Sequence, residues 1–531
     1  MAQPARGVRG MAVAPHSLAA QSALAVLREG GNAIEAMVAA AATIAVVYPH
    51  MNSIGGDGFW LVHVPGEPVR GIDASGAAAR AADIAFYRER GFSSIPFRGG
   101  VAANTVAGTI SGWELALERS RELGGKMPLS RLLADAIHYA RNGIAVTRSQ
   151  TTTTESKLDG LAGRPGFDET FLVDGAAPAT GTRFRQERMA ATLEHLAEAG
   201  LADFYRGDLA AGIARDLAAA GSPLMREDLE AHRAQWRTPL VMPHWNGKLY
   251  NMPPPTQGLA SLMILGILDR LQLGCVEPDG ADYVHLCVEA VKQAFRLRDR
   301  HVTDPAYMTM DPHTLLTPEA IDAFAARIDR KRAAPWGAGR GAGDTVWMGV
   351  VDANGRAVSF IQSLYHEYGS GVVLEQSGIN WQNRGCSFSL DEGALNVLRP
   401  GRKPFHTLNP ALALLDGGRT MVYGNMGGDG QPQTQSAVFT RTVVFGMNPQ
   451  DAIAAPRWLL GRTWGQVSDT LKLESRFPPE VIEELRRRGH EVEVVGAYDE
   501  VVGHAGAIIR GPDGLLEGGF DPRSDGGVAA Y

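Results

Sequence analysis

Apolar positions at the start of the chain follow two periods in succession. From Ser17, a good N-cap residue, the run Leu18 to Glu29 places apolar side chains at helical spacing, and Gly30-Gly31 then closes the helix. Ala33 to Val47 is apolar almost throughout and stops just before Pro49, which predicts a buried helix directly behind the first. The period then changes. Ile54-Gly55-Gly56-Asp57-Gly58 is a glycine turn that runs into Phe59-Trp60-Leu61-Val62, the aromatic and β-branched composition of a strand. Between Leu115 and Lys331 the 3.6-residue period dominates, and helices are expected over 115–122, 129–142, 186–198, 209–220, 261–273, 283–300 and 318–331. Pro253-Pro254-Pro255 interrupts this region as a rigid bend into a helix. Ala333 to Gly343 has no period, and its four glycines are the composition of an exposed loop.

Strand patterning resumes at Thr345. Thr345 to Asp352 and Arg356 to Tyr365 read as two strands around Asp352-Ala353-Asn354-Gly355, a strong hairpin signal. A three-residue loop with Gly355 left-handed sets Ser363 opposite Thr345, whereas a two-residue loop sets Leu364 there. Two further strands, Ala411 to Leu415 and Thr420 to Tyr423, lead into Gly424-Asn425-Met426-Gly427-Gly428-Asp429-Gly430 and a helical run from Gln433. Successive glycine amides at the start of a helix form a nest for an anion, although a plain tight turn uses the same residues.

Composition narrows the function classes. The 531 residues exceed one ordinary domain, yet nothing divides them into independent modules. A net charge of -7 provides no basic field for nucleic acid or an anionic membrane surface. The most apolar run, Met37 to Tyr48, is too short to cross a bilayer, and Met1 to Met11 contains no apolar stretch of an export signal, so the cytoplasm is the expected location. Cys275, Cys287 and Cys386 are odd in number and far apart, and are read as three thiols. There is no H-E-x-x-H, no phosphate-binding G-x-x-x-x-G-K-[ST] and no dinucleotide fingerprint, so neither a metal nor a cofactor is expected. A small molecule remains as the ligand.

Thr345 suggests what is done to it. A threonine that heads a chain joins a hydroxyl nucleophile to its own α-amino base, which requires a cut between Asp344 and Thr345. A lone threonine opening a strand is otherwise an ordinary β-branched residue. The accompanying motifs decide between these readings. Gly30-Gly31-Asn32-Ala33, Ile54-Gly55-Gly56-Asp57-Gly58-Phe59, Pro253-Pro254-Pro255, Thr345 with Val350-Val351-Asp352, Tyr368-Gly369-Ser370-Gly371, Gly427-Gly428, and the ending Asp521-Pro522-Arg523-Ser524 with Tyr531 follow one another in an order that resembles the γ-glutamyltranspeptidase family of N-terminal nucleophile hydrolases. The resemblance covers essentially the whole chain. It implies an α+β fold, a four-layer αββα sandwich built as one intertwined domain from two chains, 1–344 and 345–531. These would form a heterodimer cut from one precursor, with the pairing of two such heterodimers left open. It also implies Thr345 as nucleophile, Ser363 as the hydroxyl that assists it, and Gly427 with Gly428 as the oxyanion hole.

The substrate side departs from the family pattern. Asp73-Ala74-Ser75 has Ser75 where the family places an arginine for the α-carboxylate, and Asn383-Arg384-Gly385-Cys386-Ser387 has Ser387 where it places an aspartate for the α-amine. Each lost charge-assisted contact is worth about 1.5 to 3 kcal/mol. His406-Thr407 replace a pair of serines, and Arg384 brings a planar fork suited to a carboxylate. Tyr365, Asn383, Arg384, Ser387, His406 and Thr407 are therefore the expected substrate-binding set. This variant is similar to the oxamate amidohydrolase branch of the family. That implies hydrolysis of oxamate to oxalate and ammonia through an acyl-threonine, in purine breakdown. A γ-glutamyltranspeptidase or glutathione hydrolase, a cephalosporin-type acylase and an uncleaved binding protein are the alternatives.

Overall fold

The computed structural model describes residues 3–337, 344–461 and 468–531, so residues 338–343 of the loop expected before Thr345 lie outside the described residues. Period-two segments from both halves of the chain assemble into two seven-stranded antiparallel sheets. One has the order 527–530, 11–14, 344–351, 357–365, 57–63, 70–74 and 235–237; the other runs 5–7, 516–520, 505–510, 419–425, 411–415, 247–251 and 240–244. The strand Asp344–Val351 thus lies in the interior of its sheet, between Met11–Ala14 and Ala357–Tyr365.

The sheets stack face to face. Phe59, Trp347 and Ile361 from one sheet pack with Leu412, Val422 and Ile508 from the other in a shared apolar layer. Trp347 occupies that layer because glycines make room for it: a Cβ at Gly424 or Gly506 would lie 2.3 or 2.5 Å from its indole ring. Its Nε1 donates to Ser359 Oγ at 2.9 Å, so burying the ring leaves no orphan donor.

Helices close both outer faces. Ala33–Val47, buried at every residue, packs on the outside of the sheet that contains Thr345, and Asn32 with Glu35 caps it in a reciprocal box. Gly258–Arg270, Ala281–His301 and Gly430–Phe439 cover the other sheet. The architecture is the αββα sandwich that the family resemblance implies.

Several boundaries differ from expectation for local reasons. The first helix is capped by His16, whose Nδ1 accepts from Leu18 N at 3.2 Å, and Ser17 is already helical. The helix expected over 318–331 ends at Ala325. Arg148–Leu161 is helical although its threonine-rich sequence has no apolar stripe. Among the described residues no helix is long and apolar enough to cross a membrane, and all three cysteines are free thiols.

Near the C-terminus a buried ionic network joins the strand Leu471–Glu474 to the chain end. Arg523 reaches Glu474 Oε2 at 2.5 Å and Asp521 Oδ1 at 3.0 Å, while Arg457 reaches Asp521 Oδ2 at 2.5 Å. Burial alone would raise the Asp521 carboxyl, but Arg457 and Arg523 outweigh it and hold its pKa below the ordinary value. Arg523→Leu leaves Glu474 and Asp521 short of their partner and is expected to cost about 3 to 5 kcal/mol in denaturant unfolding. Because these carboxyls are depressed in the folded chain, the network's contribution is present above the unfolded carboxylate range near pH 4 and is lost as pH falls below it.

Candidate active site

The hairpin after Thr345 closes through a three-residue loop. Gly355 has φ of +76°, its N donates to Asp352 O at 3.0 Å, and Asp352 N donates to Arg356 O at 3.0 Å. Pairing then runs regularly from Val351 with Ala357 to Val346 with Gln362. Beyond that a bulge intervenes, and Asp344 pairs with Tyr365, so Ser363 and Leu364 together face Thr345. On the next strand Ser363 pairs with Asp57. Thr345, Ser363 and Asp57 therefore form a row across three neighbouring strands. Gly56 permits this approach, since a Cβ there would lie 2.2 Å from Ser363 O. Ser363 Oγ accepts from Tyr365 N at 2.8 Å, and Tyr365 turns the chain with φ of +84°.

A second element meets this row from the other sheet. Gly427 and Gly428 have φ of +121° and +51°, and the helix starts directly behind them at Gly430, not at Gln433 as expected. Gly430 N donates back to Gly427 O at 2.7 Å and Gln431 N to Gly428 O at 3.2 Å. The amides of Gly427 and Gly428 donate to no other described residue. Buried amides are normally paired, so two adjacent unpaired ones are a candidate site for an anion. From the first turn of this helix Gln431 Nε2 lies 3.4 Å from Thr345 Oγ1.

The turn is held by side chains that sequence reading did not single out. Gln257, just past the proline bend, donates to Gly428 O at 2.8 Å and Thr407 O at 2.7 Å. Arg298 Nη1 in turn donates to Gln257 Oε1 at 2.8 Å and Asp429 Oδ1 at 2.7 Å. Asn409 fixes Gln431 by donating to its Oε1 at 3.1 Å. Gln257, Asp429 and Gln431 stand inside or beside quoted motifs, but nothing in the sequence marks Arg298 or Asn409.

The expected substrate-binding residues converge unevenly. Arg384 is buried, with its guanidinium 3.7 Å from the Tyr365 ring centroid. Its Nη1 donates to Thr407 Oγ1 at 3.3 Å and Nη2 to Phe405 O, so two of its five N–H groups are held by protein and the fork is less open than expected. His406 is fully buried beside it, with Nε2 3.3 Å from Asp57 Oδ2. Burial, and then Arg384, hold its pKa far below the ordinary histidine value, so the ring is neutral. Asn383 lies in the same turn, but its amide serves the loops: Oδ1 accepts from His366 N at 3.2 Å and Nδ2 donates to Phe97 O at 2.8 Å. Ser387 closes the turn with a buried hydroxyl that has no hydrogen-bond partner among the described residues. Ser75 donates to Asp73 Oδ1 at 2.5 Å, and Lys403 Nζ approaches Asp73 Oδ2 at 2.8 Å, which brings a cation to this strand from a distant part of the chain.

One cluster elsewhere has metal-ligand atoms within 4.8 Å of one another, namely those of His285, Glu289 and His490. These groups already satisfy each other: His285 Nδ1 and His490 Nε2 share a hydrogen bond of 2.8 Å, and Lys292 pairs with Glu289 at 2.7 Å.

The αββα layers, with the strand that begins at Thr345 paired inside one sheet and a turn with two unpaired glycine amides meeting it from the other, are those of an amide-cleaving enzyme of the N-terminal nucleophile hydrolase class. Residues 19–531 match the Gamma-glutamyltranspeptidase family, and the chain belongs to it. The chain is 60% identical to the oxamate amidohydrolase proenzyme of Klebsiella pneumoniae, with 98% of each chain covered. It is 41% identical to a glutathione hydrolase-like proenzyme of Bacillus subtilis, again over 98% of each. Cephalosporin acylase from Bacillus halodurans superposes with a TM-score of 0.90 at 33% identity, covering 100% of this chain and 97% of that one.

Aspartate at Gly427 would force an L-residue into a φ range it rarely adopts and set a negative charge beside the two amides. Gly427→Asp is expected to lower kcat about 10²-fold or more, measured on protein whose melting temperature shows it to be folded.

Proposed function

We propose that this chain is a self-cleaving amidohydrolase in which Thr345 is first the cutting group and then the catalytic nucleophile, and that its substrate is a short acid amide, oxamate. In the precursor, Thr345 Oγ1 attacks the Asp344 carbonyl carbon and the peptide nitrogen leaves. Water then hydrolyses the ester. A carboxylate remains on Asp344 and a free α-amine on Thr345, so residues 1–344 and 345–531 become the two chains of a heterodimer. In turnover the amine takes the hydroxyl proton as Oγ1 attacks the amide carbonyl, and passes it to the departing ammonia. The amides of Gly427 and Gly428 receive the developing oxyanion, and Ser363 orients the amine. Water releases oxalate from the acyl-threonine.

The observation that carries this reading is the position of Thr345 opposite Ser363, within reach of Gln431 from the helix behind two unpaired glycine amides. The 60% identity to a protein named for oxamate supports the substrate. So does the exchange of charged groups, since neither Ser75 nor Ser387 offers a handle for an amino acid head while Arg384 keeps donors for one carboxylate.

Purified protein run under denaturing conditions is expected to give two fragments. Thr345→Ala is expected to abolish both cleavage and turnover, and Thr345→Ser to keep part of each; normal turnover in the alanine variant would remove Thr345 from the mechanism. Steady-state kinetics are expected to favour oxamate over γ-glutamyl-p-nitroanilide, and the reverse preference returns the chain to the parent activity. Arg384→Gln is expected to lower kcat/KM for oxamate about thirtyfold, the equivalent of about 2 kcal/mol for a charge-assisted pair.

A further inference from the structure

Asp57 has no part in the chemistry above, yet it is 1% exposed and ends the row that starts at Thr345. Its Oδ1 is saturated: Gly76 N donates at 3.0 Å, Gly108 N at 3.1 Å and Gln382 Nε2 at 3.1 Å. The loops that deliver the two amides are locked against each other, since a Cβ at Gly76 would lie 1.6 Å from Val106 O and one at Gly108 would lie 2.2 Å from Ala74 O. Its Oδ2 has no hydrogen-bond partner among the described residues and lies 3.3 Å from His406 Nε2. Both ring nitrogens of His406 and Nε of Arg384 also have no hydrogen-bond partner among the described residues. Unpartnered buried polar atoms are rare and costly, and here they gather on adjoining residues of one site. Such a cluster suits a small polar ligand and a proton that is shared or lost.

We propose that Asp57 is a specificity-determining residue of this site: with a proton on Oδ2 it is neutral and admits an acid anion to Arg384, and once ionised it repels that anion. This rests on the acid-amide reading of the site. The charged and titratable groups that face Asp57 are Lys403, already neutralised by Asp73, the Arg384 cation, and His406 and Tyr205, both neutral. Burial raises the Asp57 carboxyl to about 7 against the three donors and Lys403, which lower it. The sign follows directly. Below that value the site presents Arg384 with a neutral acid beside it; above it each further pH unit removes about nine-tenths of the remaining protonated form, so KM for an anion rises about tenfold per unit. The bound anion raises the carboxyl pKa reciprocally, so the ionisation of Asp57 leaves kcat level over the same range, and a slope in kcat belongs to the Thr345 α-amine, which is the base in turnover. A neutral amide is indifferent to the change.

The test is steady-state kinetics between about pH 6 and 9 with oxamate and with the uncharged oxamide, on the wild-type chain and Asp57→Asn. Asparagine keeps the Oδ1 acceptor at the same size and has no proton to lose. KM for oxamate is expected to climb above neutrality in the wild-type chain and to stay flat in the variant, with oxamide flat in both. Parallel KM profiles in a folded variant overturn the proposal. A second measurement is calorimetry of oxalate binding at about pH 8, in two buffers of different ionisation enthalpy, on both chains: Asp57→Asn is expected to take up close to one proton per anion fewer than the wild-type chain, and equal uptake in the two overturns the proposal. Preference for γ-glutamyl-p-nitroanilide over oxamate would sink the acid-amide reading itself, whereas oxamate turnover without proton linkage sinks this inference alone.

Discussion

The register of the hairpin that follows Thr345 is the constraint on which the rest depends. Side chains along a strand alternate faces, so a shift of one residue would move the whole set to the other face. Here the left-handed Gly355 and the two bonds between Asp352 and its neighbours across the loop set the pairing, and the bulge at its far end presents Thr345 to both Ser363 and Leu364. That register also places Asp57 beside Ser363, and Gly56 lets the strands meet because no side chain stands between them. The row of polar residues follows from one turn and one missing Cβ.

The second support is a polar scaffold in a dry place. The glycine turn at Gly427-Gly428 is held from below by Gln257, which is held by Arg298, which also holds Asp429. Each group bonds the next, which holds the turn in one geometry, although Arg298 Nη2 has no hydrogen-bond partner among the described residues. These partners satisfy the carbonyls of the turn, while the amides of Gly427 and Gly428 have no hydrogen-bond partner among the described residues. Arg384 shows the same economy: part of its fork anchors Phe405 and Thr407, and its face lies against Tyr365, so the remaining donors have a fixed direction.

Chemistry and fold were unequally legible. The buried helix Ala33–Val47 was readable to the residue, because an all-apolar run between a cap and a proline has one solution. The hairpin was readable up to a choice of loop length, and the structure made the choice. The Thr-rich helix Arg148–Leu161 was not readable, since its stability comes from neighbours and not from an apolar stripe. At the site, Thr345, Ser363, Gly427, Gly428 and Arg384 were named from pattern and resemblance. Asp57 was inside a quoted motif and passed over, because the glycines around it explained the turn without it.

The amino-acid sequence by itself determined much of the local geometry: where most strands and helices form, the left-handed turn at Gly355, and which residue types are present for the proposed nucleophile, oxyanion nest and acid recognition. These properties depend on near neighbours along the chain, so they survive without the fold. Tertiary structure alone decided the long-range pairings: Gln431 with Thr345, Gln257 with Gly428, Lys403 with Asp73, and Asp57 with His406. Those contacts join residues up to several hundred positions apart and depend on how two sheets stack, and burial then shifts the protonation of Asp57 and His406 away from their solution values. No pattern along the chain encodes that, because the dielectric around a carboxyl is a property of everything packed against it.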